Sequence, residues 1–207
     1  MHLVNNSITI VLIGDWNKLY TQPDWIANNV YETPEIEIGI EVQNTDFHVT
    51  YRKDNVGIRP SQSKMVFSAT DSKAGSLAFL AKCVNNYLHK AVTPTLTAFG
   101  FNADYEDSED VRLADVFDHM TDTCGLLDLG YEISASQVSR SLSKDGKTLI
   151  MKCAITNTQT TISFNEHHAS PEMEHLEITM DMIESFLHQT QEIIAKAGYK
   201  LDGGKDE

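Results

Sequence analysis

No run of 18 apolar residues occurs anywhere in the 207-residue chain, so the sequence offers no membrane-spanning helix. The amino terminus has no basic segment, and its apolar run from Ile8 to Ile13 is too short for a secretory signal, so none is expected. No Gly-x-Ser-x-Gly elbow, phosphate loop or dinucleotide fingerprint is present. The three cysteines, Cys83, Cys124 and Cys153, are odd in number and far apart. They form no Cys-x-x-Cys pair, which argues against a zinc ribbon, a redox pair or a disulfide framework, and for a reducing, cytoplasmic setting. Positive charge is scarce: 16 Lys and Arg face 30 Asp and Glu, a net charge of −14. That balance argues against nucleic acid or an anionic membrane as a partner, and fits a soluble protein or one that binds something basic.

What is present is periodicity. Leu77, Leu80, Ala81, Val84, Tyr87, Leu88 and Ala91 recur at helical spacing, with Lys82, Asn85, Asn86, His89 and Lys90 on the other side. The stretch after Ser76 therefore predicts a long amphipathic helix, capped by Ser72 or Ser76 and stopped by Thr93-Pro94, with a strand from Thr95 to Phe101 behind it. A second such helix is expected after Thr179, with Ile183, Phe186, Leu187, Thr190, Ile193, Ile194 and Ala197 inward and Gly198 closing it.

Strand patterns fill most of the rest. Ser7 to Gly14 reads as a buried strand. Ile36, Ile38, Ile40 and Val42 alternate with Glu37, Gly39 and Glu41; Phe47, Val49 and Tyr51 alternate with His48, Thr50 and Arg52. A turn region follows at Asp54 to Gly57, then a strand from Lys64 to Ala69. Later strands are expected around Tyr131–Ser141, Leu149–Ile155 and Thr160–Phe164, with a tight turn at Lys144-Asp145-Gly146-Lys147. Val111 to Thr121 predicts a helix. Ala103 to Asp110, rich in acid, reads as a connector. The expected class is α+β: antiparallel sheet covered on one face by two long helices, arranged as two similar halves, 1–103 and 104–200, with a disordered tail at 201–207.

Certain segments resemble a group of uncharacterised bacterial proteins. They are Gly14-Asp15-Trp16-Asn17 after the first strand, Pro23-Asp24-Trp25, and Thr93-Pro94 followed by Gly100-Phe101-Asn102. The resemblance covers mainly residues 8–102. It supports the architecture and implies no activity.

The candidate ligand or interface residues are Trp16, Tyr20 and Trp25, an aromatic connector whose preferred reading is a staple onto the core, and Arg59, set after a glycine turn where it could meet an anion, although a plain turn with one exposed Arg is the preferred reading. The densest metal-like cluster is Glu166-His167-His168 with Glu172, Glu174 and His175, but Pro171 interrupts it, so a solvated loop is the preferred reading and no metal or other cofactor is expected. The acidic run from Asp104 lacks the glycine and closing glutamate of a calcium loop. Asp115, Asp118 and Asp122 share one stripe of the expected helix and read as a wet face. With no catalytic constellation, the leading expectation is a non-catalytic interaction or assembly module, a homo-oligomer such as a dimer or the partner of another protein, joined through a strand edge or open sheet face. The alternatives are a small-molecule binder or enzyme with a pocket between sheet and helix, and an acidic holdase-like chaperone.

Overall fold

The computed structural model describes residues 1–43, 46–91, 96–108, 135–144, 147–156, 158–169 and 176–202. The strands are β1 (His2–Leu3), β2 (Ile8–Gly14), β3 (Glu37–Gln43), β4 (Asp46–Lys53), β5 (Val56–Pro60), β6 (Lys64–Ala69), β7 (Leu96–Asp107), β8 (Ala135–Lys144), β9 (Lys147–Thr156) and β10 (Thr160–Ala169). They form one sheet, ordered β3-β4-β5-β6-β2-β7-β10-β9-β8, with β1 added beside β2 on β7. Every pairing is antiparallel. The helices are α1 (Pro23–Trp25), which runs on into a π-helical turn at Ile26–Tyr31, α2 (Ala74–Lys90) and α3 (Met180–Lys196). The fold is thus α+β with an antiparallel sheet.

Register explains why one side of the sheet is core. Ile10 lies opposite Phe67 on one flank and Phe101 on the other, and Leu12 opposite Met65 and Phe99. The same row continues outward from Phe67 to Ile58 and Tyr51, and from Phe101 to Glu166 and Leu149. Because side chains alternate along a strand, all of these share one face. α2 packs on β5 and β6, α3 packs on β7, and α2 touches α3. The helical stripe buries Leu77, Leu80, Val84 and Tyr87 of α2, and Ile183, Phe186 and Ile194 of α3. Each such large apolar side chain contributes roughly 1.5–3 kcal/mol of transfer free energy. Where polar groups enter this core they are matched: Thr190 donates to Leu187 O and its hydroxyl meets that of Tyr105 at 2.8 Å.

Thr179 caps α3 by accepting from Met182 N, and Gly198 takes a left-handed φ of 84° just beyond it. At α2 the capping residue is Lys73, not Ser72 or Ser76, and no side chain caps it; Ser76 is instead drawn inside to accept from Asn55 Nδ2.

Three expectations change. The acidic stretch from Ala103 is strand as far as Asp107, because Ala103 and Tyr105 enter the core while Asp104 and Glu106 face outward. The turn after β4 is confined to Asp54 and Asn55, with φ of 51° at Asp54; Val56 and Ile58 already belong to a buried strand. Glu166-His167-His168 is not a loop but the far end of β10, which stays paired to β7 as far as Ala169. The expected helix at Val111–Thr121, Asp115, Asp118 and Asp122, Thr93-Pro94, the Asp145-Gly146 turn tip, Cys124, Glu172, Glu174, His175 and the tail from Gly203 lie outside the described residues.

Candidate functional site

The core-facing row leaves the protein at the β3–β4 hairpin. Ile38 pairs in register with Tyr51, and Ile40 with Val49. Tyr51 is buried, but Ile38 is 53% exposed, Ile40 66% and Phe47 73%. Their alternation is the ordinary strand pattern, so they lie on the same face as the core. α2 reaches β5 and β6 beneath that face. β3 ends the strand order, so among the described residues one row of its backbone N–H and C=O groups has no strand beside it.

Beside this apolar face is an open pocket of about 550 Å³ lined by Trp16, Lys18, Thr21, Phe47, Val49 and Tyr51 among others. Its base is fixed by hydrogen bonds: Tyr51 Oη donates to Thr21 O at 3.0 Å, and Tyr31 Oη donates to Tyr51 O and Val56 O at 2.9 and 3.1 Å. Burial pushes the phenol of Tyr31 far above its ordinary range, so it stays a donor.

Trp16, Tyr20 and Trp25 converge on the core. Trp16 is 5% exposed and meets Tyr87 of α2 edge-on at 5.3 Å. Trp25 meets the same ring at 5.7 Å, and Tyr20 packs on Trp25 at 4.9 Å. The three rings therefore staple the connector to α2. Trp16 Nε1 and Tyr87 Oη are buried without a hydrogen-bond partner among the described residues. Arg59 stands apart. It follows core-facing Ile58, so it points to the opposite face, where it borders a groove of about 440 Å³ with Thr9, Asn102, Asn165, Asp104 and Lys152. Asn165 Nδ2 donates to Asn102 Oδ1, and Asn102 Nδ2 to Thr9 Oγ1, forming a polar chain across three strands of that face.

Strand alternation also separates the adjacent histidines. His168 lies flat on Phe99, with ring centroids 4.3 Å apart, and its Nε2 is 2.7 Å from Glu166 Oε1. His167 points to the other side. Lys147 Nζ donates to the same Glu166 oxygen at 3.3 Å. The His168 hydrogen bond, with Lys147, holds the Glu166 carboxyl below the usual carboxylate range against the effect of burial. Among the described residues, no group of three or more His, Cys, Asp and Glu side chains is placed to hold a metal.

Sequence reasoning missed Ile38, Ile40 and Phe47 as surface groups. Their alternation signals a strand, and nothing in it distinguishes an edge from an interior position. It also missed Glu166 as a buried carboxylate.

No protein-family model matches this chain, and no curated protein matches it. Among solved structures, it is similar to one described as "crystal structure of a putative adenylate cyclase" from Bacillus halodurans, at 11% identity, covering 97% of this chain and 80% of that one, with a TM-score of 0.20. A likeness that small carries nothing about fold or activity to this protein.

Proposed function

We propose that this protein is a non-catalytic assembly module that pairs with a second copy of itself through β3. The observation that carries the reading is the coincidence of an open strand edge with an exposed apolar row, Ile38 and Ile40, backed by Phe47. Unmanaged, such an edge invites pairing. Charge selects the register. Antiparallel pairing centred on Ile40 sets Ile38 opposite Val42 and Glu41 opposite Gly39, whereas centring on Gly39 would set Glu37 against Glu41. Divided before β7 rather than at 103/104, the chain fits a duplication: β2 and β7 lie side by side at the centre, with β6-β5-β4 running outward from one and β10-β9-β8 from the other.

Light scattering tests this. The wild-type chain is expected to be a dimer whose melting temperature rises with protein concentration, and Ile40→Lys a folded monomer whose melting temperature does not depend on concentration. A wild-type chain that stays monomeric at high concentration contradicts it.

A second reading, a small-molecule binder, is favoured by the pocket beside Trp16. Tryptophan fluorescence and melting temperature unmoved across a metabolite panel would count against it.

A further inference from the structure

Glu166 is 3% exposed, and both of its hydrogen bonds, from Lys147 and with His168, fall on Oε1. Oε2 has no partner among the described residues. Nor is it among the fully enclosed, unpartnered side-chain atoms, which are Trp16 Nε1 and Tyr87 Oη. What remains open of this side chain is therefore Oε2. Glu166 borders a cavity of about 220 Å³, together with Lys147, Phe101, Asp181, Ser185, Phe186 and Gln189.

The charge of this cavity is mixed but net negative, one ammonium of Lys147 against two carboxylates. Glu166 and Asp181 bring carboxylates, and Ser185 and Gln189 bring neutral oxygens. The rings of Phe101 and Phe186 stack at 5.8 Å on the apolar side. A nearly buried carboxylate oxygen without a donor is costly, and an N–H donor relieves the cost. A cation gains from the carboxylates and from aromatic faces together. Lys147, with its side chain 55% exposed, already brings an ammonium to the other oxygen from the solvent side. The ligand atoms on offer suit a cation bearing N–H groups better than a metal ion, since among the described residues no three of the usual ligating side chains converge.

We propose that this cavity, between the first half of α3, the middle of β7 and the ends of β9 and β10, binds a primary alkylammonium group at Glu166 Oε2. The group could be a free amine or the lysine side chain of another protein; its chemistry is the same in both. The site lies on the half of the sheet away from β3 and does not depend on the assembly reading.

The test is an NMR titration of the full chain with butylamine, with Nα-acetyl-lysine amide, and with butyrate or sodium chloride at matched ionic strength. Both amines are expected to shift the Ser185 backbone amide and the Gln189 side-chain amide saturably, and the controls are not. Stronger binding of butylamine identifies a free amine; stronger binding of the lysine derivative identifies a protein side chain. Glu166→Gln is expected to weaken binding about tenfold, the loss of one charge-assisted contact. Asp181→Asn, at an exposed position that leaves folding intact, is expected to weaken it several-fold, and Lys147→Gln to tighten it by removing a competing cation. Shifts reproduced by sodium chloride, or equal affinity in wild type and Asp181→Asn, would overturn the proposal.

Discussion

Asn85 and Ile178 exchange two hydrogen bonds. Asn85 Nδ2 donates to Ile178 O at 2.8 Å, and Ile178 N donates to Asn85 Oδ1 at 2.9 Å. The amide side chain thus acts as a short piece of strand, tying the middle of α2 to the segment that leads into α3. Ile178 is buried, so truncation would strand both of its backbone groups. Asn85→Ala is expected to cost about 1–3 kcal/mol, read as a lower denaturant midpoint. Asn85→Asp, which retains the acceptor and loses the donor, should fall between. An unchanged midpoint for Asn85→Ala would show that water replaces the side chain.

Glu32 closes the π-helical turn in a left-handed conformation, φ 58°, and meets Lys82 and Lys90, each at 2.8 Å. Hydrogen bonds from Lys82 and then Lys90 lower its pKa to about 2. A depressed carboxylate favours the fold above the ordinary carboxylate range, and that contribution fades as pH falls toward about 2. The Glu32 side-chain resonance should titrate near that value. Replacing Lys82 and Lys90 with Ala should bring it back up. A midpoint indifferent to the double substitution would rule out the lysines as its cause.

Burial raises the thiol of Cys83 to about 12 and that of Cys153 to about 11. Thiolate is the reactive form, so neither should react with alkylating reagents at neutral pH until the protein unfolds. Peptide mass spectrometry after labelling distinguishes the sites. Fast modification of Cys83 in the native protein would mean that α2 opens readily.

Two glycines should respond in opposite directions. A Cβ on Gly100 would lie 2.8 Å from the backbone oxygen of Glu166, and backbone cannot rotate away. Gly100→Ala is expected to cost about 1–3 kcal/mol by forcing β7 from β10. Gly75, near the start of α2, has nothing within 4 Å of that position. Gly75→Ala should stabilise by about 0.5 kcal/mol. Thermal melting of the two variants checks both signs.

Much of the fold was legible wherever apolar spacing was uninterrupted. Leu77, Leu80, Val84 and Tyr87 repeat at helical spacing, and they are the buried residues of α2. β5 was hidden because Gly57 and Pro60 look like turn residues, although Val56 and Ile58 alternate into the core. The outer half of β7 was hidden by its acids: Asp104 and Glu106 mask the alternation of Phe101, Ala103 and Tyr105. Glu166 stood where period two calls for an apolar residue. It is tolerated there because His168 and Lys147, from its own strand and the next, satisfy one oxygen. The π-helical turn left no mark, since Ala27, Val30 and Tyr31 fit an α-helix equally well. Strand order depends on contacts across the chain, so no local pattern could place β3 at the rim.

β7 is laddered to β2 along one flank and to β10 along the other. Parting the two halves of the sheet at β7 means breaking one of those two ladders along its length. The amide protons of Phe101 and Ala103, deep in the middle of this strand, should then be the last to trade with deuterium, surrendering theirs only when the whole molecule comes apart.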